Sequence, residues 1–339
     1  NGNDFQNQAD TYTVDYDTEG QGINIVFSGS TNGWIPNSDI ANALTPVAPV
    51  TQLAAFAFGS SAADSHDNVK NLVSSSGVVA ADTTGVGTGR TSPAAATYGF
   101  DKGIFAFGDT GSVTNISNLM NNSGVIAADT TGVGTARGYL AATGYGTDKA
   151  IFAYGYTGSN VSMSNLVSNS GVVAADVTGV GTARRGVGAC SYGTDKAIFG
   201  YGFTGSAVSV SNLVNSSGVI ASDVTGVGTA RYYLAATSYG TDKGIFAYGN
   251  TGSVVSLSNL VSNSGVVAAD VTGVGTARYG LAAARYGGDK AIFAYGFLTG
   301  GTPTSLSNLV SNVGVVASDT TGVGSARGAL AASEFSYAA

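Results

Sequence analysis

The sequence predicts an all-β protein: a six-bladed β-propeller with four-stranded blades, a repeat of about 47 residues, a C-terminal strand closing the first blade, and a short N-terminal β segment. Three observations carry that expectation. The tripeptide Gly-Val-Gly recurs with its first glycine at Gly85, Gly132, Gly179, Gly226, Gly273 and Gly322, a spacing of 47 four times and then 49. A fixed period in this range marks propellers, solenoids and arrays. Each unit holds four short strand-like runs between turn residues, and the chain ends on a spare copy of the unit's first run.

Residues 1–45 precede the repeats. Alternation in Thr11–Tyr16 and Ile23–Phe27 reads as two strands of an anchor or linker. Residues 46–339 hold the array. In its third unit the first run is Tyr139–Tyr145, the second Lys149–Tyr154, the third Ser162–Ser168 and the fourth Val172–Val177, separated by clusters of Gly, Asp, Asn and Ser. Glycine and β-branched residues interrupt every window long enough for a helix. Four strands per unit favour a propeller blade over a β-solenoid coil, which needs fewer residues per turn. The second run ends at Gly59, Gly108, Gly155, Gly202, Gly249 and Gly296, so it occurs six times. The stretch before its first copy, Pro46–Leu53, diverges, whereas Ala329–Tyr337 repeats the first run at the end of the chain. A strand returning to the first blade removes the two edges an open array would expose.

Charged residues make up 10% of the chain, against roughly 25% in ordinary soluble domains, so the surface must be built mainly from Ser, Thr, Asn, Gly and Tyr. A formal net charge of -7 with 14 Lys plus Arg argues against nucleic acid and anionic lipid as partners. No apolar run reaches 18 residues, so no membrane insertion is expected. The first residue is Asn1 rather than Met, which leaves a processed terminus and a partial chain both open. The single cysteine, Cys190, stands where other units carry Thr143, Thr237 and Ala284, the pattern of a small buried residue rather than a nucleophile.

The unit Ala-Arg, a small apolar strand, Tyr-Gly-Thr-Asp-Lys and Ile-Phe-Ala-Tyr-Gly resembles a kelch-type blade, with a single glycine in place of the usual pair and no tryptophan. The near-identical array, including SNLVSNSGVVAADVTGVG, is similar to repeats in virion proteins of tailed bacteriophages, particularly marine ones. The segment from Gly29 through Trp34 to Pro36 is similar to short stretches of phage tail-fibre proteins. The resemblance implies a virion location, a tail-fibre or attachment role, and an N-terminal segment that joins other virion proteins or a second copy of the chain.

Six aspartates, Asp82, Asp129, Asp176, Asp223, Asp270 and Asp319, each stand eight residues before an arginine, Arg90, Arg137, Arg184, Arg231, Arg278 and Arg327. Six identical copies cannot form one asymmetric catalytic centre. They read as structural pairs at the blade junctions, a bidentate guanidinium holding the outer strand of one blade to the inner strand of the next. A ring of anion or calcium sites is the alternative. Asp-Lys at 101/102, 148/149, 195/196, 242/243 and 289/290 fits a tight turn. Gly-Val-Gly-Thr mimics half of a dinucleotide fingerprint but is followed by a β run instead of a helix. His66, the only histidine, has no second metal-ligating partner nearby in sequence and reads as a solvated loop residue. No cofactor, no metal and no catalytic residue is expected.

Function is sought where the repeats disagree. The residues after the strand-two glycine (Ser60, Asp109, Tyr156, Phe203, Asn250, Phe297) and those after the arginine vary, while the opposite face is nearly constant. The candidate ligand-binding face is therefore Tyr139, Tyr156, Arg185, Phe203, Tyr232, Tyr233, Asn250, Tyr279 and Phe297. Flat rings beside short polar groups suit adaptable recognition, of saccharides above all; the competing reading is that these rings fill gaps between blades. Two functions follow: a non-enzymatic virion module attaching to a cell-surface glycan or other receptor, and a structural virion component whose face docks other virion proteins. A polysaccharide hydrolase ranks third, since carboxylates outside the repeat pattern are few.

Overall fold

The computed structural model of the chain describes residues 25–27, 34–36, 51–62 and 65–337, which divide between two units, one ending at Val50 and one spanning Thr51–Tyr337. In the first, β1 (Ile25–Phe27) pairs antiparallel with β2 (Trp34–Pro36), with Val26 opposite Ile35. Of the strand expected at Ile23–Phe27, Ile25–Phe27 is present and its first two residues lie outside the described residues. The one expected at Thr11–Tyr16 lies outside the described residues.

The second unit consists of six three-stranded antiparallel sheets in a repeating, propeller-like pattern. The first sheet contains β3 (Thr51–Gly59) and β4 (Asp67–Val73). The second is β5 (Ala94–Tyr98), β6 (Lys102–Ala106) and β7 (Ser117–Met120). The third is β8 (Ala141–Tyr145), β9 (Lys149–Ala153) and β10 (Ser164–Val167). The fourth is β11 (Gly188–Tyr192), β12 (Lys196–Phe203) and β13 (Ala207–Val214). The fifth is β14 (Ala235–Tyr239), β15 (Lys243–Ala247) and β16 (Ser258–Val261). The sixth is β17 (Ala282–Tyr286), β18 (Lys290–Ala294) and β19 (Ser307–Val310). The last strand, β20 (Ala331–Tyr337), completes the first sheet by pairing with β3 from Ala331↔Ala57 to Tyr337↔Thr51.

The expected fourth strand is a correction. The segment Val172–Val177 meets β10 through only two isolated bridges, Val167↔Val173 and Ser164↔Val177. Between them the Asn165 side-chain amide donates to the carbonyl of Ala174 (3.0 Å), so a side chain takes the place of a ladder bond. Each sheet therefore holds three strands and an irregular outer segment.

Middle strands such as Lys149–Ala153 are buried along nearly their whole length because a sheet covers each face, which explains their unbroken apolar run. Six aromatic pairs join successive sheets at centroid distances of 5.2–5.6 Å: Phe58–Phe105, Phe107–Phe152, Tyr154–Phe199, Tyr201–Phe246, Tyr248–Phe293 and Phe56–Tyr295. The last pair joins the first sheet to the sixth, so the order of sheets is a cycle. Each pair contributes about 0.5–1.5 kcal/mol beyond its burial. The second strand runs into an aromatic in the left-handed region, such as Tyr154 at φ 64° just past β9, followed by a glycine, Gly155 at φ 114°. A Cβ on Gly155 would stand 2.8 Å from the Gly138 carbonyl oxygen, so only glycine fits.

Candidate functional site

The connection that follows each arginine meets the residue after the strand-two glycine, through the bridges Thr91↔Asp109, Gly138↔Tyr156, Arg185↔Phe203, Tyr232↔Asn250, Tyr279↔Phe297 and Ser60↔Gly328. The variable positions therefore gather at one end of the sheets. Beside each bridge lies a residue in the left-handed region: Ser92, Tyr139, Gly186, Tyr233, Gly280 and Ala329, with φ between 50° and 62°. Their backbones form a closed cycle of hydrogen bonds. Tyr139 N–H donates to Ser92 O (3.2 Å), Gly186 to Tyr139, Tyr233 to Gly186 and Gly280 to Tyr233 (2.8 Å each), Ala329 to Gly280 and Ser92 to Ala329 (2.7 Å each). The strain of left-handed non-glycine residues, about 1–3 kcal/mol apiece, is over-determined by this cycle.

Above the cycle opens a cavity of about 560 Å³. One arc of its wall is aromatic: Tyr139 and Tyr233 stand 5.6 Å apart, Tyr233 and Tyr279 6.2 Å, and Tyr279 and Phe297 5.6 Å. The other arc is polar and carries Ser60, Ser65, His66, Thr91, Ser92 and Asp109. His66 Nε2 lies 4.0 Å from Asp109 Oδ1, and both side chains are 28% exposed. Asp109 Oδ1 also accepts from the Gly111 N–H (2.7 Å). Burial pushes the Tyr233 hydroxyl above the usual tyrosine range, so it is a neutral donor at pH 7.

Of the nine candidate face residues, Tyr139, Tyr233, Tyr279 and Phe297 line this cavity. Tyr232 packs behind them, 5.0 Å from Tyr233 and 4.9 Å from Phe203. The Arg185 guanidinium sits over Tyr156 (4.5 Å) and Phe203 (5.2 Å), outside the lining. Asn250 closes a local turn by accepting from Gly252 N–H and does not line the cavity. The sequence marks Ser60, Thr91, Ser92 and Asp109 of the polar arc as variable positions without singling them out as ligand-binding, and it gives no sign of Ser65 and His66. Asp109 occupies the same variable position as Tyr156 and Phe203, which was the available signal; His66 sits in an irregular insert and had none. His66 is not the fully solvated loop residue expected but a half-buried part of the cavity wall.

The aspartate–arginine pairs are real neighbours in a different register. Asp129 does not meet Arg137, eight residues on; Arg137 Nη1 lies 3.9 Å from Asp176. Arg184 likewise faces Asp223, Arg231 Asp270, Arg278 Asp319, and Arg327 Asp82 across the closure, at 3.8–4.0 Å. Nor is the contact bidentate. The Arg137 guanidinium is fully buried, donates to Tyr154 O, Thr135 O and Asn165 Oδ1, and lies 4.3 Å from the Phe107 ring centroid. Asn165 Nδ2 in turn donates to Asp176, whose carboxylate also accepts from the Thr135 N–H and hydroxyl. The clasp is Arg–Asn–Asp within one sheet plus a stack onto the previous one, because the strongly buried guanidinium needs short neutral acceptors on every side. Burial lowers Arg90 and Arg137 to about 10, still charged at pH 7. Burial works to raise the Asp176 carboxyl, and the bonds from Thr135 and Asn165 outweigh it, leaving the group below the usual carboxylate range. The alternative of anion or calcium sites finds these carboxylates already occupied by donors; among the described residues no three His, Cys, Asp or Glu side chains cluster as a metal site would need. Burial pushes the Cys190 thiol up to about 12.

A second cavity, about 240 Å³, opens among the inner strands, lined by alanines, serines and threonines. It holds one charged pair, Arg285 Nε and Glu334 Oε2 at 3.8 Å, with Gln52 Nε2 donating to Glu334 at 2.6 Å. These residues belong to the sixth sheet, β20 and β3, which makes them a lock on ring closure. No family of known proteins matches the sequence, and no curated protein does.

Proposed function

We propose that the cycle of sheets is a six-bladed β-propeller serving as a non-enzymatic recognition module of a virion appendage, with the aromatic cavity as its receptor site and a cell-surface saccharide as its ligand. The observation that carries the reading is the facing of Tyr139, Tyr233, Tyr279 and Phe297 against Ser60, Ser65 and Asp109 across one cavity. Rings stack on the apolar faces of sugar rings, while short polar groups pair with hydroxyls. The virion setting rests on the resemblance of the repeats to phage proteins, and the N-terminal segment would then join other virion proteins.

The test is binding of the full chain to an array of bacterial surface glycans, beside the variant Tyr233→Ala/Tyr279→Ala. Saturable binding that drops at least tenfold in a variant of unchanged unfolding midpoint supports the reading. Equal binding by both proteins rejects this cavity as the site. The structural alternative, docking of other virion proteins, draws on the outer segments, where Val78, Val125, Val172, Val219, Val266 and Val315 are each at least 55% exposed.

A further inference from the structure

We infer that the cavity prefers a saccharide unit bearing a positively charged nitrogen, such as an amino sugar with a free ammonium group; this rests on the saccharide reading of the same site. Three observations carry it. The lining includes the carboxylate of Asp109 and neither lysine nor arginine. Asp109 keeps Oδ2 free of any hydrogen bond among the described residues, while Oδ1 is taken by Gly111 N–H. The opposite arc presents four aromatic rings, whose negative faces attract a cation within about 6 Å.

The protein already shows this affinity with its own cations. Arg185 at this same end stands over two rings, Tyr156 and Phe203. The six clasp arginines each stand 3.9–4.3 Å from an aromatic centroid. The cavity offers the same chemistry, rings plus one carboxylate, with neither lysine nor arginine supplied; the imidazole of His66, 4.0 Å from Asp109 Oδ1, is the one protein group of the wall able to carry positive charge, and it leaves Oδ2 open. Acidic sugars would meet Asp109 as a like charge in a partly desolvated site, which disfavours them.

The experiment is calorimetric titration of the full chain at neutral pH with glucosamine oligomers, their N-acetylated counterparts, neutral glucose oligomers and galacturonate oligomers, repeated on Asp109→Asn. The asparagine keeps an acceptor for Gly111 N–H, and an unchanged unfolding midpoint verifies folding. Expected is about tenfold tighter binding of the free-amine oligomer than of its acetylated form, a preference that Asp109→Asn abolishes. Equal affinity for free-amine, acetylated and neutral oligomers, unaltered in Asp109→Asn, overturns the ammonium inference and leaves the saccharide reading standing. Tightest binding of galacturonate overturns it in the same way. Binding of none of the four overturns the ammonium inference, while the glycan array decides the saccharide reading separately. If the chain binds but Tyr279→Ala binds as well as the parent, the aromatic arc is not the platform and the inference fails.

Discussion

Arg184 shows what a buried charge requires in this protein. Its guanidinium donates to Tyr201 O, Thr182 O and Asn212 Oδ1 and is capped by the Tyr154 ring, with Asp223 at 4.0 Å. Removing Asn212 leaves one N–H of a fully buried cation unpaired, so Asn212→Ala is expected to cost about 3 kcal/mol, read as a lowered urea midpoint. Asn118 provides the internal control. Its Oδ1 and Arg90 Nε have no partner, so that clasp is incomplete and Asn118→Ala is expected to cost less than half as much. The clasp aspartates set a pH dependence. Their folded carboxyls titrate below the unfolded value near 4, so they stabilise the fold above that pH, and the contribution is lost as pH falls through the folded values. Unfolding midpoints are expected to be flat from pH 7 to about 5 and to fall steeply below about 4; a flat curve to pH 2 would show that the clasps do not couple to folding. Cys190, buried and titrating at about 12, is expected to resist alkylation until the chain is unfolded.

At the scale of elements, β20 is, among the described residues, the one strand whose partner is remote in sequence. It covers the edge of β3, and Glu334 ties it both to Gln52 of β3 and to Arg285 of β17. Glu334→Ala is expected to cost about 1 kcal/mol, since the pair is partly exposed but hydrogen-bonded. Deleting residues 331–339 is expected to raise the particle size seen by light scattering above that of the intact chain, because the uncovered edge of β3 recruits another chain. A truncated chain of the same particle size and midpoint as the intact one would show that closure does not protect that edge. The outer segments carry the opposite lesson: Val172–Val177 has the composition of a strand, yet Asn165 and Asp176 draw its polar groups into the clasp and leave two bridges.

For the whole molecule, the legible part was whatever repeats along the chain. The period, the count of six units, the three inner strands of each and the return of the last strand to the first sheet are all questions of spacing and alternation, which local sequence contains. The gathering of variable residues at one end was legible too, because strands alternate in direction. The sequence by itself could not assign Asp176 to Arg137 rather than to Arg184, since in near-identical repeats every neighbouring copy is chemically equivalent and only three-dimensional proximity chooses among them. It could not separate Tyr233, which lines the cavity, from Tyr232 behind it, because a single left-handed residue in a closed cycle of backbone hydrogen bonds sets which side chain faces inward. Nor could it join His66 to Asp109, which lie in the connections of different sheets and meet only because the cycle brings those connections to one rim.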